Sequence, residues 1–256
     1  MARERLLVSD LDGTLLGDEE SLARFADWCR PRRPALALVY ASGRFFASVV
    51  QTIESTALPE PDAVIGGVGT EISLYPSGQK VAGWPRCLDR WDPEGIRSVL
   101  ASCRELEPQA PEFQAEFKIS YHGRELSCGL LAGIRRRLAL AGHCVELVYS
   151  SNRDLDVLPR GVNKGSAAAF LASRWRLRPS QVIACGDTGN DASMFMSGFR
   201  GVIVANAQPE LKTIRSPDVY HSTHPYAAGV LEGLEYWLSS YPKSGKRQSP
   251  LSLGEG

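Results

Sequence analysis

The stretch LLVSDLDGTL, residues 6–15, determines how this chain folds, because an apolar run ends abruptly in two carboxylates. Short apolar runs of this kind are typical of buried strands in a parallel sheet. Asp10 and Asp12 then lie at the carboxyl end of a strand, where open α/β sheets bind their ligands. Two neighbouring buried carboxylates need a proton or a cation between them, and Mg²⁺ prefers such oxygen ligands. For this motif alone, a solvated Asp-Gly turn is the alternative.

Other apolar runs predict further strands that alternate with helices. The runs cover residues 36–41, 63–65, 182–185 and 202–204, and the residues from Leu22 to Cys29 follow the spacing of an amphipathic helix. Strands alternating with helices predict an α/β fold with a Rossmann-like parallel sheet core and helices on both faces.

The middle of the chain predicts a separate unit of mixed strands and helices. A helix begins at Asp92-Pro93, a strand is expected at 117–121, a helix at 129–141 and a strand at 144–149. We therefore expect an inserted α+β unit at residues 83–160, with hinges near 83–86 and 158–162. Residues 1–82 and 161–241 would form the core around it. The polar, turn-rich segment 242–256 predicts a disordered tail.

Composition argues against several classes of partner. The chain has 29 Lys and Arg against 29 Asp and Glu, so no overall field attracts nucleic acid or an anionic membrane. The first apolar stretch is interrupted by Ser9 and Asp10, which makes it a poor signal peptide, and no apolar run is long enough to span a bilayer. We expect a cytoplasmic monomer. The six cysteines form no C-x-x-C pair, which favours core packing over a metal or disulfide role.

A second acidic motif follows another predicted strand. GDTGND, residues 186–191, comes directly after the run VIAC. Asp187 can complete a cation site, while Asp191 begins or supports the next helix; helix capping by Asp187 or Asn190 is the alternative. Two acidic strand ends in one α/β chain favour a shared cation site.

Two further segments offer groups suited to phosphate. Ser42-Gly43-Arg44 follows the run LALVYA and presents a hydroxyl and backbone N–H groups, although a plain helix N-cap has the same sequence. Lys164 precedes the helix that starts near Ser166, so its ammonium can lie against the phosphate and Asp10; a solvated lysine is the alternative.

Together, DLDGTL, the strand-end serine, the lysine and GDTGND resemble the haloacid dehalogenase superfamily of phosphatases, in the same order and with similar separations. The resemblance implies a Mg²⁺-dependent phosphoric monoester hydrolase in which Asp10 is the nucleophile and Asp12 the general acid and base. It also implies a set of phosphate-binding residues, Ser42, Gly43, Lys164 and Asn190, and a set of metal ligands, Asp10, Asp12 through its backbone carbonyl, Asp187 and, in support, Asp191.

A longer resemblance, from the N-terminus to about residue 238, is to the sucrose-phosphate phosphatase family. It includes KISYH at 118–122, RDLDVLPRGVNKG at 153–165 and GVIVANAQPEL at 201–211. It implies hydrolysis of sucrose 6-phosphate to sucrose and phosphate through an aspartyl phosphate, and a sucrose-phosphate synthase partner. It also implies that residues 83–160 are a substrate-selecting cap domain on a haloacid dehalogenase-like catalytic core, residues 1–82 and 161–241, with cap contacts to the sugar from Lys118, His122, Asp154 and Asp156. For Lys118 and His122, simple alternation along a half-exposed strand is the alternative.

Other functions remain open at this point. A phosphatase for a related phosphorylated glycoside, of the glycosylglycerate phosphate type, is the nearest rival. A phosphohexomutase and a non-catalytic sugar-phosphate-binding domain are further alternatives. The presence of Asp10, Asp12 and Asp187 argues against a non-catalytic domain. We also expect the segment 206–211 to pack near the active site as a loop that follows a strand.

Overall fold

A computed structural model describes residues 3–86, 88 and 90–239, so Cys87 and the predicted tail lie outside the described residues. The strands, in chain order, are β1 (Arg5–Ser9), β2 (Leu36–Ala41), β3 (Ala63–Gly66), β4 (Glu71–Leu74), β5 (Glu107–Pro108), β6 (Ile119–His122), β7 (Val145–Ser150), β8 (Asp154–Pro159), β9 (Val182–Gly186), β10 (Arg200–Ile203) and β11 (Val219–His221). The α-helices are α1 (Glu19–Cys29), α2 (Phe46–Ser55), α3 (Pro93–Leu100), α4 (Cys128–Leu140), α5 (Lys164–Arg174), α6 (Ala192–Phe195), α7 (Pro209–Lys212) and α8 (Tyr226–Ser239).

The larger sheet has seven strands in the order β11-β10-β9-β1-β2-β3-β4. Neighbouring strands are parallel except for β4, which pairs antiparallel with β3 at the edge. β1 lies between β2 and β9, so Leu6 faces both Ala37 and Val182. The predicted parallel sheet is confirmed; the antiparallel edge strand was not predicted.

Helices cover both faces of this sheet because side chains alternate along each buried strand. Leu7 of β1 packs in one apolar cluster with Phe25 of α1 and Trp237 of α8. Leu6 packs in a second cluster, on the opposite face, with Leu171 of α5. The predicted Rossmann-like core with helices on both faces is therefore confirmed.

The smaller sheet is antiparallel, in the order β5-β6-β8-β7, and lies within the predicted insertion. One face packs on α3 and α4 through an apolar cluster that contains Tyr121, Leu155 and Ile96. As predicted, α3 begins at Asp92-Pro93, and the Asp92 carboxylate accepts a hydrogen bond from the Gly95 N–H at 3.0 Å. β8 was not predicted as a strand. The boundaries of the cap at 83 and 160 remain a prediction.

The cysteines differ in their burial. Cys29, Cys103 and Cys185 are buried, as core packing requires. Cys128 and Cys144 are exposed, so the prediction of core packing is wrong for these two. Cys128 is the first residue of α4, and Cys144 precedes β7, which lies at an edge of the small sheet; both positions leave the thiol exposed to solvent. Within the described ranges, no helix combines the length and the apolar character needed to cross a membrane.

Candidate active site

The two predicted acidic strand ends meet because β1 and β9 are neighbours in the sheet. The Asp10 N–H donates to the Cys185 carbonyl at 3.0 Å. Asp10, Asp187 and Asp191 are all buried, and each offers a carboxylate oxygen within 4.8 Å of the others. Gly13 allows this approach: its φ is +83°, and a Cβ there would lie 2.3 Å from Asp187 Oδ2. The structure thus brings together three of the predicted metal ligands.

Lys164 is fully buried beside this carboxylate cluster, so the solvated alternative is wrong. Its Nζ donates to Asp10 Oδ1 at 2.7 Å, to Asp191 Oδ1 at 2.7 Å and to Asn190 Oδ1 at 2.8 Å. The lysine is the first residue of α5, which is capped by Asn163 through a hydrogen bond from the Ser166 N–H at 2.8 Å. The cap fixes where the helix begins, and hence where the ammonium lies.

Asp191 joins the two halves of the GDTGND motif. Its Oδ2 accepts hydrogen bonds from the Asp187 N–H at 3.0 Å and the Thr188 N–H at 3.1 Å, while its Oδ1 binds Lys164. Asp187 Oδ1 accepts a hydrogen bond from the Thr14 hydroxyl at 3.1 Å. Asp191 therefore supports the local turn and also belongs to the charged cluster.

Burial dominates the electrostatics of the cluster. Burial and the charge of Asp191 raise the pKa of Asp10 to about 7, against the lowering effect of Lys164. Burial and the neighbouring carboxylates raise the pKa of Asp187 to about 8. Burial alone would lower the pKa of Lys164, but Asp10 and Asp191 outweigh it and raise that pKa. Three carboxylates face one ammonium, and this donor set fits a hard divalent cation such as Mg²⁺.

Asp12 and Ser42 are joined through Arg44. Asp12 is half-exposed, and its carboxylate forms a two-point ion pair with the Arg44 guanidinium, with Nε 2.8 Å from Oδ2. Ser42 is buried at the end of β2, and its Oγ accepts a hydrogen bond from the Arg44 N–H at 3.1 Å. Gly43 lies between them in the same turn. Sequence reasoning missed the Arg44 pairing, for which the SGR motif was the available signal.

The four predicted sugar contacts lie on one face of the small sheet, opposite α3 and α4. Ser120 of β6 pairs with Asp156 of β8, and His122 pairs with Asp154. Lys118 is buried, its Nζ lies 2.8 Å from Asp156 Oδ1, and it also lies 5.9 Å from the centroid of the Phe45 ring of the core. The half-exposed alternative is therefore wrong for Lys118.

His122 and Asp154 form a second pair on this face. His122 Nδ1 lies 3.1 Å from Asp154 Oδ1, and the His122 side chain is 42% exposed. Asp154 also binds Arg153 at 2.8 Å. Burial raises the pKa of Asp154, but the Arg153 guanidinium and His122 outweigh it and hold that pKa below its usual value. For His122, simple alternation along a half-exposed strand remains open.

The segment 206–211 packs near the site, as predicted. Asn206 Nδ2 donates to the Gly13 carbonyl at 2.7 Å, and its Oδ1 accepts from the Tyr226 N–H at 3.0 Å. The Gln208 N–H donates to the Asp187 carbonyl at 2.7 Å. Asn206 thus holds the turn that follows Asp10 and Asp12, a contact that the sequence analysis did not assign.

The parallel sheet and the strand-end carboxylates with their buried lysine define a phosphoric monoester hydrolase of the haloacid dehalogenase superfamily. Within that class, the chain belongs to the sucrose-6F-phosphate phosphohydrolase family, whose sequence profile matches residues 3–238. Both resemblances drawn from the sequence are thereby confirmed, and the enzyme hydrolyses a sugar phosphate monoester. The family assignment argues against the phosphohexomutase and the non-catalytic alternatives.

Particular relatives refine this comparison. A mannosylfructose-phosphate phosphatase of Agrobacterium fabrum is 37% identical over 239 residues, which cover 91% of this chain and 96% of the relative. Sucrose-phosphatase 1 of Nicotiana tabacum is 34% identical over 253 residues, 92% of this chain but only 60% of the plant protein. The solved structure of the sucrose-phosphatase from Synechocystis sp. PCC6803, in complex with sucrose and phosphate, has a TM-score of 0.86 at 34% identity and covers 92% of this chain and 98% of that one.

Proposed function

We propose that this enzyme hydrolyses sucrose 6-phosphate to sucrose and phosphate, with Mg²⁺ and through a phosphorylated Asp10. The observation that carries the proposal is the buried cluster in which Lys164 Nζ lies 2.7 Å from Asp10 Oδ1, with Asp187 and Asp191 beside it. The family assignment and the similarity to a sucrose-phosphatase solved with sucrose and phosphate support the choice of substrate.

The donor set supports a magnesium site. The Asp10 and Asp187 carboxylates and the Asp12 backbone carbonyl would hold Mg²⁺, with Asp191 in support through its bonds to the Asp187 N–H and to Lys164. When bound, the cation would offset negative charge at the phosphate and so lower the barrier to attack by an anionic nucleophile.

In the first chemical step, an oxygen of the Asp10 carboxylate attacks phosphorus, and the bond between phosphorus and the sugar oxygen breaks. Asp12 donates a proton to the departing sugar oxygen. In the second step, Asp12 takes a proton from water as that water attacks the phosphorus of the aspartyl phosphate, which releases inorganic phosphate and restores Asp10. The Asp12 side chain is half-exposed, so it can exchange protons with solvent, as both transfers require.

The phosphate would be held by Ser42, Gly43, Lys164 and Asn190. Ser42 and Gly43 follow directly after β2. Lys164 Nζ donates a hydrogen bond to Asn190 Oδ1 at 2.8 Å, so these two side chains lie together. The ammonium offsets the repulsion between the anionic nucleophile and the anionic substrate.

We further propose that residues 83–160 act as the cap and that Lys118, His122, Asp154 and Asp156 contact the sugar. Their position on the sheet face that α3 and α4 leave uncovered supports this assignment, as does the proximity of Lys118 to Phe45. Paired polar side chains are suited to recognising hydroxyl groups. Cytoplasmic location, a monomeric state and a sucrose-phosphate synthase partner also remain proposals.

A phosphate ester of mannosylfructose is the second candidate substrate. The 37% identity to the Agrobacterium fabrum enzyme, over 96% of that protein, favours it. Substrate choice then depends on the small sheet rather than on the carboxylate cluster.

Phosphate release tests these proposals directly. The substrates are sucrose 6-phosphate, mannosylfructose phosphate, a glycosylglycerate phosphate and glucose 6-phosphate, each with Mg²⁺ or with a chelator. Asp10→Asn should lose at least about a thousandfold in kcat, as expected for removal of a nucleophile. Asp27→Asn is the matched control, since its side chain is 69% exposed.

Release from sucrose 6-phosphate with Mg²⁺ would support both chemistry and substrate. Release from the mannosylfructose ester alone would retain the mechanism and replace the substrate. Undiminished release in the presence of chelator, or by the Asp10→Asn enzyme, would overturn the mechanism.

A further inference from the structure

Three consecutive residues after β3 adopt left-handed backbone conformations. The φ angles of Gly67, Val68 and Gly69 are +56°, +61° and +105°. Glycine adopts such angles readily, but a β-branched residue such as Val68 is a genuine outlier there. Strain of this kind persists only where the surroundings impose it, and it concentrates at functional sites. The run Gly-Gly-Val-Gly at 66–69 is the sequence signal for this Gly67–Gly69 turn.

On one side, the turn contacts the segments that carry the proposed phosphate-binding residues. The Val68 N–H donates to the Ser42 carbonyl at 3.0 Å, and the Gly67 N–H donates to the Arg44 carbonyl at 3.0 Å. A Cβ on Gly69 would lie 2.4 Å from the Asn163 carbonyl oxygen and 2.7 Å from the Lys164 nitrogen. The turn therefore packs tightly against the first residues of α5.

On the other side, the turn contacts the predicted insertion. Val68 is buried in a small apolar cluster with Val148 of β7 and Leu158 of β8. Trp84, in the predicted hinge, donates from Nε1 to the Gly69 carbonyl at 2.8 Å. The same indole packs against Phe170 of α5, with ring centroids 5.3 Å apart.

We propose that the Gly67–Gly69 turn is a positioning element, anchored by Trp84, that fixes Lys164 against Asp10 and couples this placement to the docking of the small sheet. The inference rests on the proposed function, because it takes Lys164 as a group that holds the phosphate. Since Gly69 leaves no free space at the Lys164 backbone, a displacement of the turn moves the start of α5. Small displacements of a catalytic group lower the rate of a well-aligned reaction.

Trp84→Phe tests the anchor because it removes the N–H and keeps an aromatic ring against Phe170. Trp175→Phe is the matched control, since Trp175 packs on the same apolar cluster at the other end of α5. We would measure kcat, KM and the unfolding temperature with two substrates: sucrose 6-phosphate, and p-nitrophenyl phosphate, which lacks a sugar. Trp84→Phe should lower kcat for both esters about two- to tenfold, as expected for one lost hydrogen bond, with KM for p-nitrophenyl phosphate nearly unchanged.

Val68→Ala tests the coupling to the small sheet. It should raise KM for sucrose 6-phosphate about threefold, because fewer molecules hold the docked arrangement. Because the placement of Lys164 is coupled to that docking, it should also lower kcat for p-nitrophenyl phosphate about two- to threefold. Equal kcat values in Trp84→Phe and Trp175→Phe would overturn the anchor. A raised KM for sucrose 6-phosphate in Val68→Ala with an unchanged kcat for p-nitrophenyl phosphate would overturn the coupling.

Failure of the proposed function is recognised separately. If the wild type cleaves neither ester, the proposed function fails, and amide hydrogen exchange of residues 163–166 then decides the positioning role. Exchange there should be several times faster in Trp84→Phe than in Trp175→Phe, while equal exchange would refute the inference.

Discussion

Replacing Lys164 with methionine removes a buried ammonium and keeps a side chain of similar length. In the wild type, Nζ lies 2.7 Å from both Asp10 Oδ1 and Asp191 Oδ1, and no part of the lysine side chain is exposed. Removing one partner of a buried ion pair costs about 3–5 kcal/mol, because the remaining charge is uncompensated. We expect Lys164→Met to lose that much free energy of unfolding at pH 8, with divalent cations removed by a chelator.

The loss should shrink at low pH. The pKa values of Asp10 and Asp187 are raised from 3.8 to about 7 and about 8, so the folded protein keeps protons that the unfolded chain releases. Their contribution to stability therefore falls as pH rises from about 4 to about 8. Removing the ammonium raises both pKa values further and steepens that fall. At pH 5 the Asp10 and Asp187 carboxyls are protonated in the folded state, so we expect a smaller deficit of about 1–3 kcal/mol, from the lost hydrogen bonds and from Asp191 left without its ammonium.

Urea unfolding followed by tryptophan fluorescence at pH 5 and pH 8 measures both deficits. Lys80→Met is the matched control, because the Lys80 side chain is 60% exposed and its pair with Glu71 should contribute less than about 1 kcal/mol. A deficit for Lys164→Met no larger than that of the control, or one that is larger at pH 5 than at pH 8, would refute the reasoning.

Three further predictions concern separate parts of the molecule. Burial raises the pKa of Glu232, but hydrogen bonds lower it from 4.5 to about 2. In urea unfolding, Glu232→Gln should therefore lose about 1–2 kcal/mol at pH 7, and this deficit should shrink as the pH falls from about 4.5 through about 2. Gly13→Ala places a Cβ 2.3 Å from Asp187 Oδ2 and should lower kcat at least about tenfold; unchanged kcat would contradict the tight packing. The exposed Cys128 and Cys144 should react rapidly with a thiol reagent in the native protein. Replacing both with serine should lower the number of rapidly reacting thiols per molecule by two.

The carboxylate cluster could be predicted because its members follow directly from local patterns. An apolar run that ends in aspartate identifies both a buried strand and its carboxyl end, so Asp10 and Asp187 are assigned to the same edge of the sheet before any contact is known. The helices α1 and α3 could be predicted for the same reason, since the spacing of their apolar residues and the identity of their N-caps are encoded within a few residues.

Contacts between distant segments could not be predicted in this way. The pairing of Arg44 with Asp12 depends on how β1 and β2 align, and the packing of Gly69 on Lys164 depends on the path of a turn far along the chain. The prediction that the cysteines pack in the core failed at Cys144 for a similar reason. Cys144 stands next to an apolar run, but that run is an edge strand of the small sheet, and no sequence pattern states which strand lies at an edge.

The central position of β1 has a consequence for synthesis of the chain. Its two partners, β2 and β9, lie on opposite sides of it in the sheet, and both follow it in the chain, but β9 begins only at Val182. Until the ribosome has released that strand, one side of β1 has unpaired N–H and C=O groups, which invite pairing with another chain. A protein truncated before Val182 should therefore aggregate rather than accumulate as a folded fragment, and every carboxylate of the GDTGND motif would be missing from it.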